Sequence, residues 1–496
     1  MNSLIARDGI RFAMRKGALP LYPIAFAAYP ISTLLLQNRA EVHASVAIRP
    51  LFISLSVSLS LLAIFRIIAG SWRKSALLTT IGVVAFFTYG HVYAQVRNAT
   101  FLGMVIGRHR YLLPFLSVVL LIGVLLILRT RSDLDRATKT LNVAAVTLVL
   151  IPLVQFGTFL ITSAATVPRV AEKGATAPRL NVSPGRNLPD IYFIVLDTYT
   201  RADALKRDFA FDNSAFIEAL EDRGFFVADC ARSNYSFTSG SLASALNFAY
   251  LDELLEVDPF LPSSLEETAS LMRHSKVRGL LEEVGYQTVA FETGYEWANL
   301  RDADYFLSLN RSPITLQHFD PFEEMLINNT ALRVVSDLEA QRFESRMRDI
   351  GEFVSVSEFS LASYVDRQLY IFDQLPEIAR LTGPTFTFVH INTPHVPYVF
   401  DPEGNIWSDE GFYYGRSKEP FDEWYLAKGY TSAIQYTNVR ILEAIDQIFK
   451  HSRTPPIIIM QGDHGMRDNN RMQILNSYFL PEVRENQLYS SISPVN

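Results

Sequence analysis

Five apolar segments in the first third of the chain are the feature that most constrains its fold. Each is close to the roughly 20 residues that a helix needs to cross the hydrocarbon core of a bilayer. Because four further segments follow the first, the first is not typical of a cleavable signal peptide. The sequence therefore predicts an all-α transmembrane bundle within residues 1–165, with five spans at Ala18–Leu36, Leu51–Ala69, Ala76–Ala94, Tyr111–Leu128 and Leu141–Ile161.

Basic residues are distributed unevenly between the two ends of this predicted bundle. Ten lie before the first span, between the second and third, or between the fourth and fifth, whereas the other two loops carry five. Loops rich in Lys and Arg stay in the cytoplasm. We therefore expect a cytoplasmic N-terminus, and an odd number of spans then places the chain after Ile161 on the outside.

The charge of the chain divides at the same point. Residues 1–165 hold 16 Lys and Arg and four acids, a net charge of +12, whereas the remainder has a net charge of −18. Nucleic-acid binding needs a basic face, so no nucleic-acid partner is expected for the acidic part. The single cysteine, Cys230, excludes a disulfide within the chain and a cysteine-based metal cluster.

The rest of the chain alternates short apolar runs with helical patterns. Residues 166–189 lack apolar periodicity and are rich in Pro, Gly, Ala and Arg, which predicts a linker. For residues 190–496 the alternation predicts an α/β domain with a mainly parallel sheet. The predicted strands are Ile191–Leu196, Thr288–Phe291, Thr385–Ile391 and Ile457–Met460, and the predicted helices are Ser214–Arg223, Ser275–Val284 and Ala433–Phe449.

Three predicted strands are followed by residues able to bind a metal. Asp197 follows the first strand, His395 comes soon after the third, and Asp463 and His464 come after the fourth. Ligands collect beyond the carboxyl ends of parallel strands. We expect these side chains to converge on a divalent cation, and mixed oxygen and imidazole ligands favour Zn²⁺ or Mn²⁺ over Ca²⁺. The glycines on either side of Asp463 and His464 permit a sharp turn there.

A loop rich in hydroxyl groups, residues 234–244, supplies the candidate nucleophile. It leads into a helical pattern, whose first N–H groups would face an anionic oxygen. A Ser or Thr alkoxide in this loop would be activated by a metal. Each motif alone also fits a helix cap or a surface turn, and it is their occurrence together that favours a site.

Four segments in this order resemble the alkaline phosphatase/sulfatase superfamily, and especially its membrane branch of lipoteichoic acid synthases and phosphoethanolamine transferases. The similarity covers roughly residues 189–481, and the segments are PDIYFIVLDTYTRAD, NYSFTSGSLASALN, FVHINTPHVPYVFD, and PPIIIMQGDHG followed by ILNSYFLP. The resemblance implies five spans in a bacterial cytoplasmic (inner) membrane, with a sulfatase-like catalytic domain on the periplasmic or extracellular side. Such domains usually continue for a few tens of residues beyond ILNSYFLP, which leaves a C-terminal truncation open.

The resemblance also implies roles for individual residues. Thr238 occupies the position of the nucleophile, and a Thr cannot become the formylglycine of sulfatases. One divalent metal, with Mn or Zn favoured over Mg or Ca, would be held by Asp197, Thr238, Asp463 and His464. His395 would contact the phosphate as a catalytic and substrate-binding residue. A single acid after the first strand, where sulfatases have a pair, favours one metal over a fuller site.

The expected function is a metal-dependent transferase or hydrolase of phosphoryl head groups, acting on a phospholipid or another anionic ester at the outer face of the membrane. The alternatives are a periplasmic sulfate or phosphate ester hydrolase and a catalytically inactive membrane scaffold. Further candidates for substrate binding, for which packing or capping roles remain open, are His390, Arg201 and Asn234. Donor, acceptor and oligomeric state stay open.

Overall fold

A computed structural model describes most of the chain, and its contacts divide into two compact units. One unit contains Met1–Ile161 and Ser312–Ser360, and the other contains Thr162–Arg311 and Leu361–Asn496. Most of the predicted linker, and the basic residues before the first predicted span, lie outside the described residues. The residues that the structure describes are 18–39, 42–101, 104–165, 180, 187–255, 265–309, 321–335, 356–407, 423–467, 469–481 and 487–495.

Helices and strands are numbered in chain order within the described residues. The helices are α1 (Tyr22–Gln37), α2 (Ile48–Ala69), α3 (Trp72–Val96), α4 (His109–Arg129), α5 (Asp135–Ala165), α6 (Ala202–Phe209), α7 (Ser214–Glu221), α8 (Thr238–Ala245), α9 (Leu251–Leu255), α10 (Leu265–Arg273), α11 (Lys276–Glu283), α12 (Pro321–Asn329), α13 (Val356–Gln374) and α14 (Glu423–His451). The strands are β1 (Thr100–Phe101), β2 (Met104–Val105), β3 (Ile191–Leu196), β4 (Phe226–Val227), β5 (Gln287–Phe291), β6 (Tyr305–Leu307), β7 (Thr385–Ile391), β8 (Ile457–Gly462) and β9 (Asn476–Phe479).

The first unit, here called the membrane unit, contains four helices long and apolar enough to cross a membrane: Ala44–Ala69, Trp72–Val96, His109–Arg129 and Asp135–Phe159. The first predicted span falls on α1, which has 16 residues. At ~1.5 Å per residue α1 rises about 24 Å, short of the ~30 Å hydrocarbon core. The prediction of a five-span bundle is therefore not confirmed, and four apolar helices are what the described residues support.

Apolar side chains on these helices point outward, as expected for contact with lipid. On α4, Phe115 and Leu126 are each 65% exposed. Helix α3 is the most enclosed of the four, because α1 and α2 pack against it. The membrane unit therefore has a buried centre at α3 and an apolar periphery.

The second unit, here called the α/β unit, is built on a seven-stranded sheet in the order β4-β9-β8-β3-β7-β5-β6. Strands β8, β3, β7, β5 and β6 pair in parallel, and at one edge β9 pairs antiparallel with both β8 and β4. The sheet is thus mixed and mostly parallel, which confirms the predicted α/β class for this unit.

Both faces of the sheet are covered, which is why its central strands are continuously apolar. Alternate residues of β3 contribute to the two sides: Tyr192 and Ile194 pack with helices α13 and α14, whereas Phe193 and Val195 pack with Leu242 of α8. Helix α8 therefore lies on one face of the sheet, and its first residue is near the carboxyl ends of the strands.

Candidate metal centre and nucleophile

The carboxyl ends of β8, β3 and β7 lie side by side. Leu196, the last residue of β3, pairs in register with Ile391 of β7 and with Gly462 of β8. The next residue of each strand therefore leaves the sheet at the same edge. This register brings Asp197 and Asp463 together although 266 positions separate them in the sequence.

Asp197, Asp463 and His464 form a buried cluster. One ligand atom from each lies within 4.8 Å of the others, and the three residues are at most 5% exposed. Oδ1 of Asp463 accepts the backbone N–H groups of Thr198 at 2.9 Å and His464 at 2.8 Å. Oδ2 of Asp463 and Oδ1 of Asp197 are buried, and neither has a hydrogen-bond partner among the described residues.

The orientation of His464 follows from a bond to its own backbone neighbour. Nδ1 lies 3.0 Å from the carbonyl oxygen of Gly465, which only accepts, so Nδ1 carries the proton. In the neutral form of the ring, Nε2 is then the nitrogen with a lone pair. It lies 3.6 Å from Oδ2 of Asp463 and 3.5 Å from Oγ1 of Thr238. A neutral imidazole fixed in this way is the form that binds a metal.

Thr238 is the first residue of α8 and is half-buried, so its hydroxyl reaches the cluster without being enclosed. The loop before it is fixed by Ser241, whose hydroxyl donates to the carbonyl oxygen of Tyr235 at 2.8 Å. The first backbone bond of the helix runs from the N–H of Ser241 to the oxygen of Phe237. The N–H groups of residues 238–240 therefore precede the helical ladder, where an anionic oxygen is stabilised.

Three histidines set the charge state of Asp197. Burial acts to raise the pKa of its carboxyl, but His395, His390 and His464 outweigh burial and lower that pKa to about 2. Nε2 of His390 lies 3.4 Å from Oδ2 of Asp197. Burial acts to lower the pKa of His390, but the neighbouring carboxylates outweigh it and raise that pKa. Asp197 is therefore ionised at neutral pH.

These residues fit a divalent cation. Two buried carboxylates each keep one oxygen without a hydrogen-bond partner in the described part of the chain, and burying such oxygens is costly unless a cation compensates them. The lone pair at Nε2 of His464 and the hydroxyl of Thr238 complete a set of oxygen and nitrogen donors. Zn²⁺ and Mn²⁺ accept such a mixed set.

The glycines beside Asp463 and His464 act differently from the prediction. Neither Gly462 nor Gly465 has a positive φ, so neither makes a turn that only glycine can adopt. A Cβ at Gly462 would lie 2.4 Å from the carbonyl oxygen of Tyr199, and one at Gly465 would lie 2.3 Å from that of Asn470. Close backbone approach is therefore what requires glycine at both positions.

The remaining predicted site residues have varied surroundings. His395 is half-buried, and its Nδ1 donates to the carbonyl oxygen of Val396 at 2.7 Å, which leaves Nε2 for a substrate. The guanidinium of Arg201 donates to Asp203 and to the carbonyl oxygen of Ala231, so it holds two loops together. The side-chain amide of Asn234 donates to Ser244 of α8, which supports the nucleophile loop.

Two tyrosines beside the site are absent from the sequence prediction. Tyr430 of α14 donates its hydroxyl to the carbonyl oxygen of Thr198 at 2.6 Å. Tyr364 of α13 is buried, and both burial and the charge of Asp197 raise its pKa. Tyr430 lies three residues before the predicted helix start at Ala433, so apolar spacing continued from Leu426 would have included it.

Solved structures similar to this chain include phosphoethanolamine transferases. The periplasmic domain of EptC from Escherichia coli, in complex with Zn, is 12% identical, with 64% of this chain and 84% of that chain covered and a TM-score of 0.40. The membrane protein EptA from Neisseria meningitidis is 13% identical, with 94% and 88% covered and a TM-score of 0.37. The periplasmic domain of EptC from Campylobacter jejuni is 10% identical, with 60% and 80% covered and a TM-score of 0.35.

Phosphoethanolamine transferases are also the proteins that the sequence motifs resemble. No protein-family model and no curated protein matches the chain. At these identities and TM-scores the similar structures carry no function over to this chain, and a function has to be argued from the geometry of the site.

Proposed function

We propose that this protein transfers or hydrolyses a phosphoryl head group, with Thr238 as the nucleophile. The observation that carries the proposal is the 3.5 Å separation between Oγ1 of Thr238 and Nε2 of His464 at the edge of a buried carboxylate cluster. A hydroxyl beside two carboxylates that require a cation, and at the start of a helix, has the surroundings of an activated nucleophile.

The proposed metal ligands are Asp197, Thr238, Asp463 and His464. A divalent cation held by them would lower the pKa of the Thr238 hydroxyl and neutralise charge on the phosphoryl oxygens. Asp197 contributes a carboxylate that is already ionised, and His464 contributes a nitrogen whose lone pair is fixed by the bond from Nδ1 to Gly465. Both ligands are thus prepared by the protein itself.

In the proposed reaction, Oγ1 of Thr238 forms a bond to phosphorus while the bond from phosphorus to the lipid alcohol oxygen breaks. Thr238 loses its proton to bulk water, and the departing alcohol gains one from a general acid that bulk water reprotonates, so protons balance across the step. We assign the donor of that proton to Nε2 of His395, because Nδ1 is engaged by Val396. The phospho-Thr238 ester is then resolved by an acceptor hydroxyl or by water.

A lipid donor fits the remainder of the chain. Four apolar helices of membrane-spanning length accompany the α/β unit, and a membrane-bound substrate is within reach of an enzyme that shares its membrane. We propose a location in a bacterial cytoplasmic membrane with the α/β unit outside, following the distribution of basic residues. Thr at the nucleophile position, which formylglycine chemistry does not use, favours phosphoryl over sulfuryl esters.

The test uses the purified full-length protein in nanodiscs with a phospholipid labelled in its head group. We expect mass spectrometry to find the label on the peptide containing Thr238, and Thr238→Ala to lose it. Ser236→Ala, which removes an exposed hydroxyl two residues earlier, should keep full labelling. Equal labelling of wild type and Thr238→Ala would overturn the role of Thr238. Release of free head-group phosphate without an acceptor would identify hydrolysis instead of transfer.

A further inference from the structure

A cavity of about 340 Å³ lies in the membrane unit between α1, α3 and α12. Its walls are mostly apolar, and the main contributors are Phe26, Leu34, Val84, Phe87 and Leu326. Thr33, Gln37, Thr88, His91 and Asn329 supply polar atoms, and the described lining contains no charged Lys, Arg, Asp or Glu. An apolar cavity with a few polar groups is typical of a small-molecule site.

Helix α12 forms one wall, and several contacts hold it in place. Phe322 is fully buried among Ala27, Ile31 and Phe87. Glu323 is paired with Arg49 at the start of α2. These contacts show that the wall is a built part of the membrane unit.

The segment after α12 approaches α3 at the level of the backbone. The N–H of Ala331 donates at 2.8 Å to the carbonyl oxygen of Phe86, and a Cβ at Gly90 would lie 2.4 Å from the carbonyl oxygen of Asn328. Only a glycine at position 90 allows this close packing. The third wall of the cavity is therefore fixed by backbone contacts as well as by side chains.

The cavity lies along most of α1 and beside the carboxyl-terminal half of α3. From Lys74 to His91 the helix rises about 25 Å at ~1.5 Å per residue, so the lining residues of α3 fall within a hydrocarbon core of ~30 Å. Val84 lines the cavity and is 38% exposed. At this depth in a membrane, lipid chains surround the helices that form the cavity.

The hydroxyl of Thr33 distinguishes this cavity from a simple packing gap. Its neighbour Ser32 donates to the carbonyl oxygen of Ala28, and Thr88 donates to that of Val84, the usual arrangement in membrane helices. Oγ1 of Thr33 is buried and has no hydrogen-bond partner among the residues that the structure describes. A buried hydroxyl without a partner carries a desolvation cost that a hydrogen bond to a ligand oxygen would relieve.

We propose that this cavity binds one acyl chain of a membrane glycerolipid, with the Thr33 hydroxyl donating to the ester carbonyl at the head of that chain. Its volume has room for roughly eleven groups the size of a water molecule, at ~30 Å³ each, and a methylene group is about that size. An apolar cavity excludes water, whereas a chain from the surrounding lipid fills it. This binding site is independent of the proposed reaction, because it needs neither the metal nor Thr238.

The test measures lipid retention by the full-length protein, purified from nanodiscs of phosphatidylethanolamine and phosphatidylglycerol. A trace phospholipid with a photoreactive diazirine in one acyl chain is cross-linked, and the labelled peptides are identified. We expect labelling of residues 26–37 and 84–91 in the wild type and at least a fivefold loss in Leu34→Trp, which fills the cavity. Val92→Trp, at a 38% exposed position of α3 outside the cavity lining, should leave the labelling unchanged.

Thr33→Val keeps the shape of the side chain and tests the hydroxyl even if Leu34→Trp fails to fold. We expect the wild type to retain an ester-linked lipid better than its ether-linked analogue, and Thr33→Val to lose that preference. Ser32→Ala, which removes a hydroxyl already bonded within its helix, should keep it. Equal retention of ester and ether lipids by the wild type would overturn the assignment to Thr33. Labelling of residues 26–37 and 84–91 that Leu34→Trp leaves unchanged would overturn the site.

Discussion

The carboxylate of Asp463 accepts the backbone N–H of Thr198 at 2.9 Å, which joins the ends of two neighbouring strands. Thr198 has a φ of 61°, a conformation that a β-branched residue rarely adopts. Such a conformation costs ~1–3 kcal/mol and persists only where the surroundings enforce it. Here the N–H is held by Asp463 and the carbonyl oxygen by Tyr430, so the strain is maintained next to Asp197.

Replacing Asp463 with Asn separates hydrogen bonding to the backbone from metal binding. An Asn oxygen still accepts the two backbone N–H groups, but the negative charge at the unpaired Oδ2 position is lost. We expect the protein to fold and its affinity for the proposed metal to fall by about tenfold or more. Removing a residue that only orients a metal ligand already lowers metal affinity by about that factor, and removing a ligand should lower it at least as much. Metal content after dialysis against Zn²⁺ or Mn²⁺ buffers measures this.

Asp401→Asn is the matched control for this prediction. Its carboxylate also accepts two backbone N–H groups, from Glu403 and Asn405, but in a surface turn. Metal content should be unchanged by this substitution. If Asp463→Asn bound metal as tightly as the wild type, Asp463 would not be a ligand.

Tyr430→Phe removes the hydroxyl that donates to Thr198 and accepts the N–H of Thr200. We expect a loss of about 1–3 kcal/mol in the free energy of unfolding, because buried backbone groups lose their partner. Relaxation of Thr198 should also lower the rate of substrate turnover. Tyr436→Phe on the same helix is the control, since that hydroxyl is buried without a hydrogen-bond partner among the described residues. Equal destabilisation by both would contradict the role given to Tyr430.

The central strands were predictable because burial on both faces leaves a continuous apolar run. The predicted bounds of Ile191–Leu196 and Thr385–Ile391 agree with β3 and β7, and the run at 457–460 continues to Gly462. Strands β4, β6 and β9 have two to four residues and are mostly near the edges of the sheet. Such short pieces have no apolar period of their own, since their pairing depends on a neighbour.

One rule, that ligands collect at the carboxyl ends of parallel strands, predicts that the site residues lie close together. The long-range contacts elsewhere in the fold could not be predicted in this way. Asp197 and Asp463 follow adjacent parallel strands, so the strand order alone predicts that they meet. The contact of α12 with the membrane helices depends on Arg49 and Glu323, which are 274 positions apart. Local sequence patterns carry no signal for a contact at that separation, and α12 was not expected in the membrane unit.

Gly465→Ala should distort the segment that carries His464. The new Cβ would lie 2.3 Å from the carbonyl oxygen of Asn470, which is backbone and has little freedom to move. Overpacking of this kind costs about 1–3 kcal/mol, and metal binding should weaken in parallel. Gly279→Ala is the control: it lies in α11 with open space around its Cβ. Thermal unfolding should show a gain there of ~0.5–1 kcal/mol. An unchanged melting temperature for Gly465→Ala would contradict the steric argument.

The ion pair of Asp446 with Arg223 should contribute stability only above acidic pH. The guanidinium donates to both carboxylate oxygens at 2.7 and 2.8 Å and lowers the pKa of Asp446. A folded-state pKa below the unfolded value of ~3.9 gives stability that is present above that value and lost as pH falls through the folded pKa. Because the carboxylate is half exposed, screening limits the gain to ~0.5–1 kcal/mol.

A double-mutant cycle with Asp446→Asn and Arg223→Gln isolates this pair from the rest of the acid titration. The coupling free energy should be measurable at pH 7 and should decline as the pH falls through the lowered folded-state pKa of Asp446. Raising the ionic strength at pH 7 should reduce it as well, since exposed charges are screened. A coupling that stays constant between pH 7 and pH 2 would mean that the pair is held by packing of the Arg223 stem and not by charge.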